Sequence, residues 1–418
     1  MILLFFLFFI IAFSITHSPS LKKTKQTRTL WLSTFLSYVI YTIITHSYIE
    51  NPTTQYFVNP DQLHFYFEAI TLSKFNISEI FQKSFTEFNY SGSPLAYALF
   101  GILARIAKIL GETDILLFLK FHVTFLASLI PIYIYKIIDN CNPTIPNLHK
   151  KLFLFALVAP IFSLSAQLMR DIHICLLFTI MTYAALRPKQ PFRYIWLLLL
   201  MAVTYSFRVE NGLFSAAIIA IPLYRTFRTG GYLKKGLIIS IFCVFCIFAL
   251  FSILEVANTS LTGYGERSDE MASASSLGNK LNLLPSPLAE FAKAGFSQLL
   301  PFPIWHPFNA ENDYSYLLIV DCLFPFYWIP IWMSLFYGWW KYRKYWDKDI
   351  LALFYISILY IVLNSAGEFN TRRLMAVYPM LLICFITLQQ QFNLKKQKMN
   401  KISVGLLIVL HIVYILIK

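Results

Sequence analysis

Three short stretches set arginine beside carboxylate in an otherwise apolar chain. They are Arg170 and Asp171 in QLMRDI (167–172), Arg208 and Glu210 in FRVENG (207–212), and Glu368, Arg372 and Arg373 in GEFNTRR (367–373). A guanidinium is planar and donates two parallel hydrogen bonds, so repeated arginine suits a phosphate or carboxylate ligand. Each group reads equally as a local ion pair or as a helix-end side chain reaching for water. A second candidate chemistry sits in PDQLHFYFEAI (60–70), where Asp61 follows a proline and opens an amphipathic run. That placement suits a helix cap, or a general base that removes a proton from a hydroxyl. Glu50 and Glu68 are further carboxylates near it.

The elements that must carry these residues follow from composition. The chain is 57% hydrophobic and 13% charged, with a mean hydropathy of +0.60. Soluble domains carry about 25% charged residues, so the pattern is that of an all-α, multi-span membrane protein. The net charge of +14 does not point to nucleic acid, because the lysines and arginines cluster between apolar runs as orientation signals do. Five of the six cysteines lie in apolar segments. Cys243 and Cys246 are spaced as C-x-x-C but have no acidic or histidine neighbours, so neither a metal nor a disulfide framework is expected. Nucleotide-binding glycine loops and metalloprotease motifs are absent.

Apolar stretches near 1–16, 30–48, 115–136, 151–168, 172–187, 194–207, 211–224, 236–257, 315–338, 350–365, 374–390 and 402–417 predict about twelve spans in one membrane domain, 1–418. The first stretch lacks the basic start and cleavage site of a signal peptide and reads as a retained span. Basic clusters at 22–28, 136–151, 187–193, 225–235, 341–348 and 395–401 fall on alternate connections, which the positive-inside rule puts inside. The alternation requires 93–111, with Arg105 and Lys108 on one face, to be an interfacial helix instead of a span. The outer face then carries two large loops, 49–114 and 258–314, and the three arginine turns. A helix running unbroken from 152 to 186 would be far longer than a bilayer needs, so Arg170 and Asp171 are expected in a turn.

Arginines on the outer side break the orientation rule, and four of them in three neighbouring turns point to a shared anion site. On that face the available phosphate belongs to a lipid carrier or head group. Lys120 and His122, near the outer third of their span, suit snorkelling or a contact to the same phosphate. Trp305 and His306 suit an interfacial anchor or the wall of a sugar site. The N-x-Ser matches at Asn76, Asn89 and Asn258 are too common a pattern to imply glycosylation.

The stretches PDQLHFYFEAI, SGSPLAYALFGILARIAKILGETDILLFLKFHVTF (91–125), QLMRDIHICLL and NTRRLMAVYPMLL (370–382) together resemble the GT-C superfamily of polyprenyl-phosphate-dependent membrane glycosyltransferases, chiefly over 55–190. The resemblance implies a helical membrane bundle whose first outer loop holds the catalytic carboxylate, here Asp61, and a carrier-phosphate contact at Arg372 or Arg373. Two departures stand out: Gln62 follows Asp61 where paired acids are frequent, and Gly92-Ser93-Pro94-Leu95 replaces His-Pro-Pro-Leu. The second outer loop and the turn arginines are also similar to the O-antigen polymerase family. Both readings make the chain an enzyme of a bacterial inner membrane, active on its periplasmic face in cell-surface glycan assembly. Its partners would be a lipid-linked sugar donor, a glycan acceptor and membrane lipids, with no nucleic acid. Arg170, Arg208, Arg372 and Arg373 would meet the carrier phosphate, with Asp171, Glu210, Glu368, Glu68, Lys120, His122, Trp305 and His306 in support. No cofactor or metal is implied, although a divalent cation near Asp61 stays open. A lipid-linked glycan transporter or flippase is the competing class, disfavoured by only 14 glycines, no internal repeat and charges gathered at one surface.

Overall fold

The structure is a computed structural model that describes residues 1–17, 24–48, 60–87, 92–141, 145–187, 192–229, 236, 284–285, 288–300, 302–305, 319–367, 371–392 and 396–417. Among the described residues every regular element is a helix. In chain order they are α1 (Ile2–Thr16), α2 (Thr24–Tyr48), α3 (Pro60–Leu72), α4 (Ile77–Thr86), α5 (Pro94–Ile109), α6 (Ile115–Cys141), α7 (Leu148–Val158), α8 (Ile161–Ser165), α9 (Asp171–Leu186), α10 (Arg193–Phe207) and α11 (Val209–Thr229). After them come α12 (Leu288–Ser297), α13 (Ile319–Tyr342), α14 (Lys348–Gly367), α15 (Thr371–Leu374), α16 (Tyr378–Phe392) and α17 (Lys396–Ile417). Among the described residues, four helical segments are long and apolar enough to cross a membrane: Ile115–Cys141, Val320–Tyr345, Lys348–Ser365 and Thr371–Phe392. All of the apolar stretch at 236–257 except residue 236, and most of 258–314, lie outside the described residues.

In lipid, apolar side chains gain little by leaving the tails, so helices hold together by close packing and interhelical hydrogen bonds. The contact of α2 with α6 shows both. Trp31 Nε1 donates to Ser128 Oγ at 3.1 Å, and the Thr42 and Thr124 hydroxyls are 2.9 Å apart. Tyr135 donates to Gln26 Oε1 at 3.0 Å, while His46 meets Asp114 at 2.6 Å, so the two helices run antiparallel. Phe8 of α1 stacks on Phe125 with ring centres 4.2 Å apart, which closes the third side. The α7 segment joins through Tyr38, whose hydroxyl donates to the Ala156 carbonyl at 2.8 Å.

Polar contacts sort the connections to two ends of the bundle. At one end Met1 lies beside Glu112, and His46 beside Asp114. At the other, Arg225 pairs with Asp349, Gln391 donates to the Tyr345 carbonyl, and Arg193 donates to the Arg187 carbonyl. Asp114 illustrates the first end: burial alone would raise its carboxyl, but hydrogen bonds from His46 and the Leu117 amide hold it below the usual value.

The span expected at 151–168 is not continuous. The helix stops at Val158 and restarts at Ile161, after Pro160, which has no amide hydrogen to continue the ladder. The chain leaves helix again after Ser165 and re-enters at Asp171, so Arg170 and Asp171 do lie at a turn. The described part of the first large loop is itself helical. Asn76 caps α4 in a reciprocal capping box with Glu79. On α5, Arg105 donates to the Phe75 carbonyl and Lys108 to Ser73 Oγ, each at 2.6 Å, so both basic residues clasp the α3–α4 turn. Gly111, at φ +71°, ends α5 in a left-handed turn that only glycine enters without strain.

At Gly101 α5 packs tightly on α3: a β-carbon there would lie 2.8 Å from Leu72 Cβ. Gly101→Ala is expected to destabilise the protein by about 1–3 kcal/mol through overpacking. Gly405→Ala, in open space on α17, is expected to be neutral or slightly stabilising. Thermal unfolding of both variants in detergent checks the contrast.

Candidate anion site

The three arginine turns and the start of α3 meet at one place. Arg372 Nη1 lies 2.8 Å from Asp61 Oδ2, and its Nε lies 3.6 Å from Asp171 Oδ2. Arg208 Nη1 lies 3.9 Å from Asp171 Oδ1, and its Nε lies 3.4 Å from Glu210 Oε2. Arg170 feels Arg208, Asp171 and Glu210, and Arg373 acts on Glu210. Asp61, Arg170, Asp171, Arg208, Glu210, Arg372 and Arg373, which stand far apart in the chain, therefore form one charged cluster.

Local structure explains each position. Asp171 opens α9, where a carboxylate complements the positive helix end. Gln62, fully buried beside Asp61, accepts a hydrogen bond from the Leu168 amide at 2.9 Å. That bond ties the first turn of α3 to the Arg170 turn. Arg208 is the one extended residue between α10 and α11. The hairpin around it is so tight that a β-carbon on Gly212 would sit 2.6 Å from the Tyr205 Cα. Tyr360 of α14 donates to Asn211 Oδ1 at 2.6 Å and approaches the Arg373 carbonyl at 3.2 Å, joining the last two turns.

Electrostatics match the geometry. Burial and the neighbouring Arg208 push the Arg170 guanidinium down to about 10, still a cation at neutral pH. Burial works against the Glu210 carboxylate, but Arg208, Arg170 and Arg373 outweigh it and lower its pKa. Four guanidinium groups face three carboxylates here, Asp61, Asp171 and Glu210, which leaves the described cluster with one net positive charge. Such a site can hold an anion and spread its charge over several donors.

The remaining expected residues that are described make other contacts or none with these arginines. Lys120 is not a snorkeller: it is fully buried within α6, because that stretch of the helix is enclosed by protein. His122 faces His173, Nε2 to Nε2 at 3.3 Å, with His173 flanked by Phe100 and Phe207. Glu68 lies two turns beyond Asp61 on α3 and makes no ion pair among the described residues. Trp305 packs against His411 and Tyr414 of α17 instead of joining the arginines. Glu50, Glu368 and His306 lie outside the described residues. Among the described residues no group of three or more His, Cys, Asp or Glu side chains is arranged to hold a metal ion.

Gln62, Asn211, Gly212 and Tyr360 escaped the sequence reading as site residues. Asn211 and Gly212 belong to the quoted FRVENG turn, and Gln62 follows Asp61, so adjacency was their available signal.

Removing one partner from a buried ion pair costs about 3–5 kcal/mol, because the other charge stays desolvated. Asp171 is 6% exposed, whereas Asp61 is 54% exposed. Asp171→Asn is therefore expected to destabilise strongly and Asp61→Asn by less than about 1 kcal/mol, as measured by thermal unfolding in lipid nanodiscs. Comparison with known proteins adds no relative: no family model, no curated protein and no solved structure matches the chain.

Proposed function

We propose that this chain is a membrane glycosyltransferase that takes a sugar or glycan from a polyprenyl-(pyro)phosphate donor at the outer face of a bacterial inner membrane. In this reading the bundle has about twelve spans, and the arginine turns open to the periplasm. The observation that carries it is the contact of Asp61 with Arg372 at 2.8 Å, in a cluster where Asp171 links Arg372 to Arg208. The acceptor hydroxyl gives its proton to the Asp61 carboxylate, and its oxygen forms a bond to the anomeric carbon. The bond from that carbon to the phosphate oxygen breaks, and the phosphate leaves with the electron pair. Arg170, Arg208, Arg372 and Arg373 neutralise the charge that develops there, which is the role of preorganised donors in a water-poor site. The partial exposure of Asp61 suits a base that must meet an acceptor arriving from outside, while the more buried arginines suit a lipid head group.

Asp61→Asn is expected to lower turnover by about a hundredfold or more, with the protein present in the membrane at normal level. The decisive measurement is mass analysis of lipid-linked glycans in cells with and without the gene. A product lacking one sugar supports the transferase. Loss of long chains with repeat units intact supports a polymerase on the same carrier. An unchanged glycan profile removes both and favours transport.

A further inference from the structure

The base and the phosphate donors of the proposed site are not independent of each other. Arg372 holds two carboxylates at once: Nη1 on Asp61 at 2.8 Å and Nε towards Asp171 at 3.6 Å. The two partners differ in kind. Asp171 is buried, belongs to the first turn of α9, and also faces Arg208 at 3.9 Å, so it is a fixed counter-ion. Asp61 is more than half exposed at the start of α3, and water can solvate its carboxylate if the arginine leaves. An anion arriving at the cluster meets Arg372 with one of its forks already occupied by the group that the reaction needs as a base.

Resting on the functional reading above, we propose that the Asp61–Arg372 pair is a latch that the phosphate of the donor opens. The incoming phosphate oxygen replaces Asp61 on Arg372 Nη1, one anion for another, while Asp171 keeps the guanidinium in place. No covalent bond changes in this step. The carboxylate released from Arg372 then has a lone pair directed at the acceptor instead of at a guanidinium. The consequence is an order of events: donor first, activated base second, acceptor last. An empty site holds its base engaged and cannot deprotonate water in its place.

The test is equilibrium binding to the full chain in lipid nanodiscs, with inorganic pyrophosphate and farnesyl diphosphate as probes. Four proteins are compared: wild type, Asp61→Asn, Arg372→Gln and the double variant. A latch predicts that Asp61→Asn binds both probes roughly two- to fivefold tighter than wild type, the worth of a partly exposed ion pair. It also predicts that this gain disappears in the Arg372→Gln background. An equal gain in both backgrounds would mean simple repulsion between Asp61 and the anion, and equal affinity of wild type and Asp61→Asn would mean no competition. Either result overturns the latch and leaves the anion site standing. If no variant binds either probe, the functional reading falls and the latch falls with it. Farnesyl diphosphate binding better than pyrophosphate identifies a lipid head group as the source of the anion. Equal binding of the two keeps the latch but removes the lipid carrier.

Discussion

Asp171 and the two guanidinium groups it faces are the constraint around which this end of the molecule is organised. A carboxylate that is 6% exposed is costly in an apolar environment unless cations and hydrogen bonds surround it. Here the cations come from Arg208 and Arg372, about forty residues downstream in one case and two hundred in the other. Satisfying Asp171 therefore forces the α10–α11 hairpin and the α14–α16 connection to converge on the start of α9. Once they have converged, Arg170, Glu210 and Arg373 fall within the same field, and α3 is drawn in through Asp61.

The same physics explains what could be read without coordinates. Arginine in the turns stood out because it broke the alternation of basic connections, and such an exception needs a local reason. Side chains from separate connections meet where Arg225 pairs with Asp349 and where Tyr135 donates to Gln26. Amphipathic spacing in 93–111 marked Arg105 and Lys108 as lying on one face, and both clasp the α3–α4 turn. The helix periodicity was legible because few side chains in these stretches are polar.

What stayed hidden depended on partners distant in sequence. Lys120 looked like a helix-end lysine able to reach water, and only the enclosure of α6 by its neighbours removes that exit. Gln62 looked like a departure from a family pattern, yet its side chain accepts the Leu168 amide and joins two segments a hundred residues apart. Tyr360 sits in a run of apolar residues with nothing local to mark it, because its hydroxyl is used across the bundle. The break at Pro160 was written in the sequence, but a proline inside a long apolar stretch does not say whether a helix bends or stops.

The braces of the cluster share one property. Gln62 takes hold of the Leu168 amide, Tyr360 approaches the Arg373 carbonyl, and Gly212 permits the Tyr205 backbone to come close. All three reach main-chain atoms, and none of them touches the charged tips of the arginines. Scaffold and selectivity are thereby separated in this molecule. With Asp171 still facing Arg208 and Arg372, the turns stay in place when the Asp61 contact of Arg372 changes, so a change of ligand can be accommodated without rebuilding the bundle. The same separation means that the preference for one anion over another can drift through substitutions at the tips alone, while the helices beneath them keep their sequence.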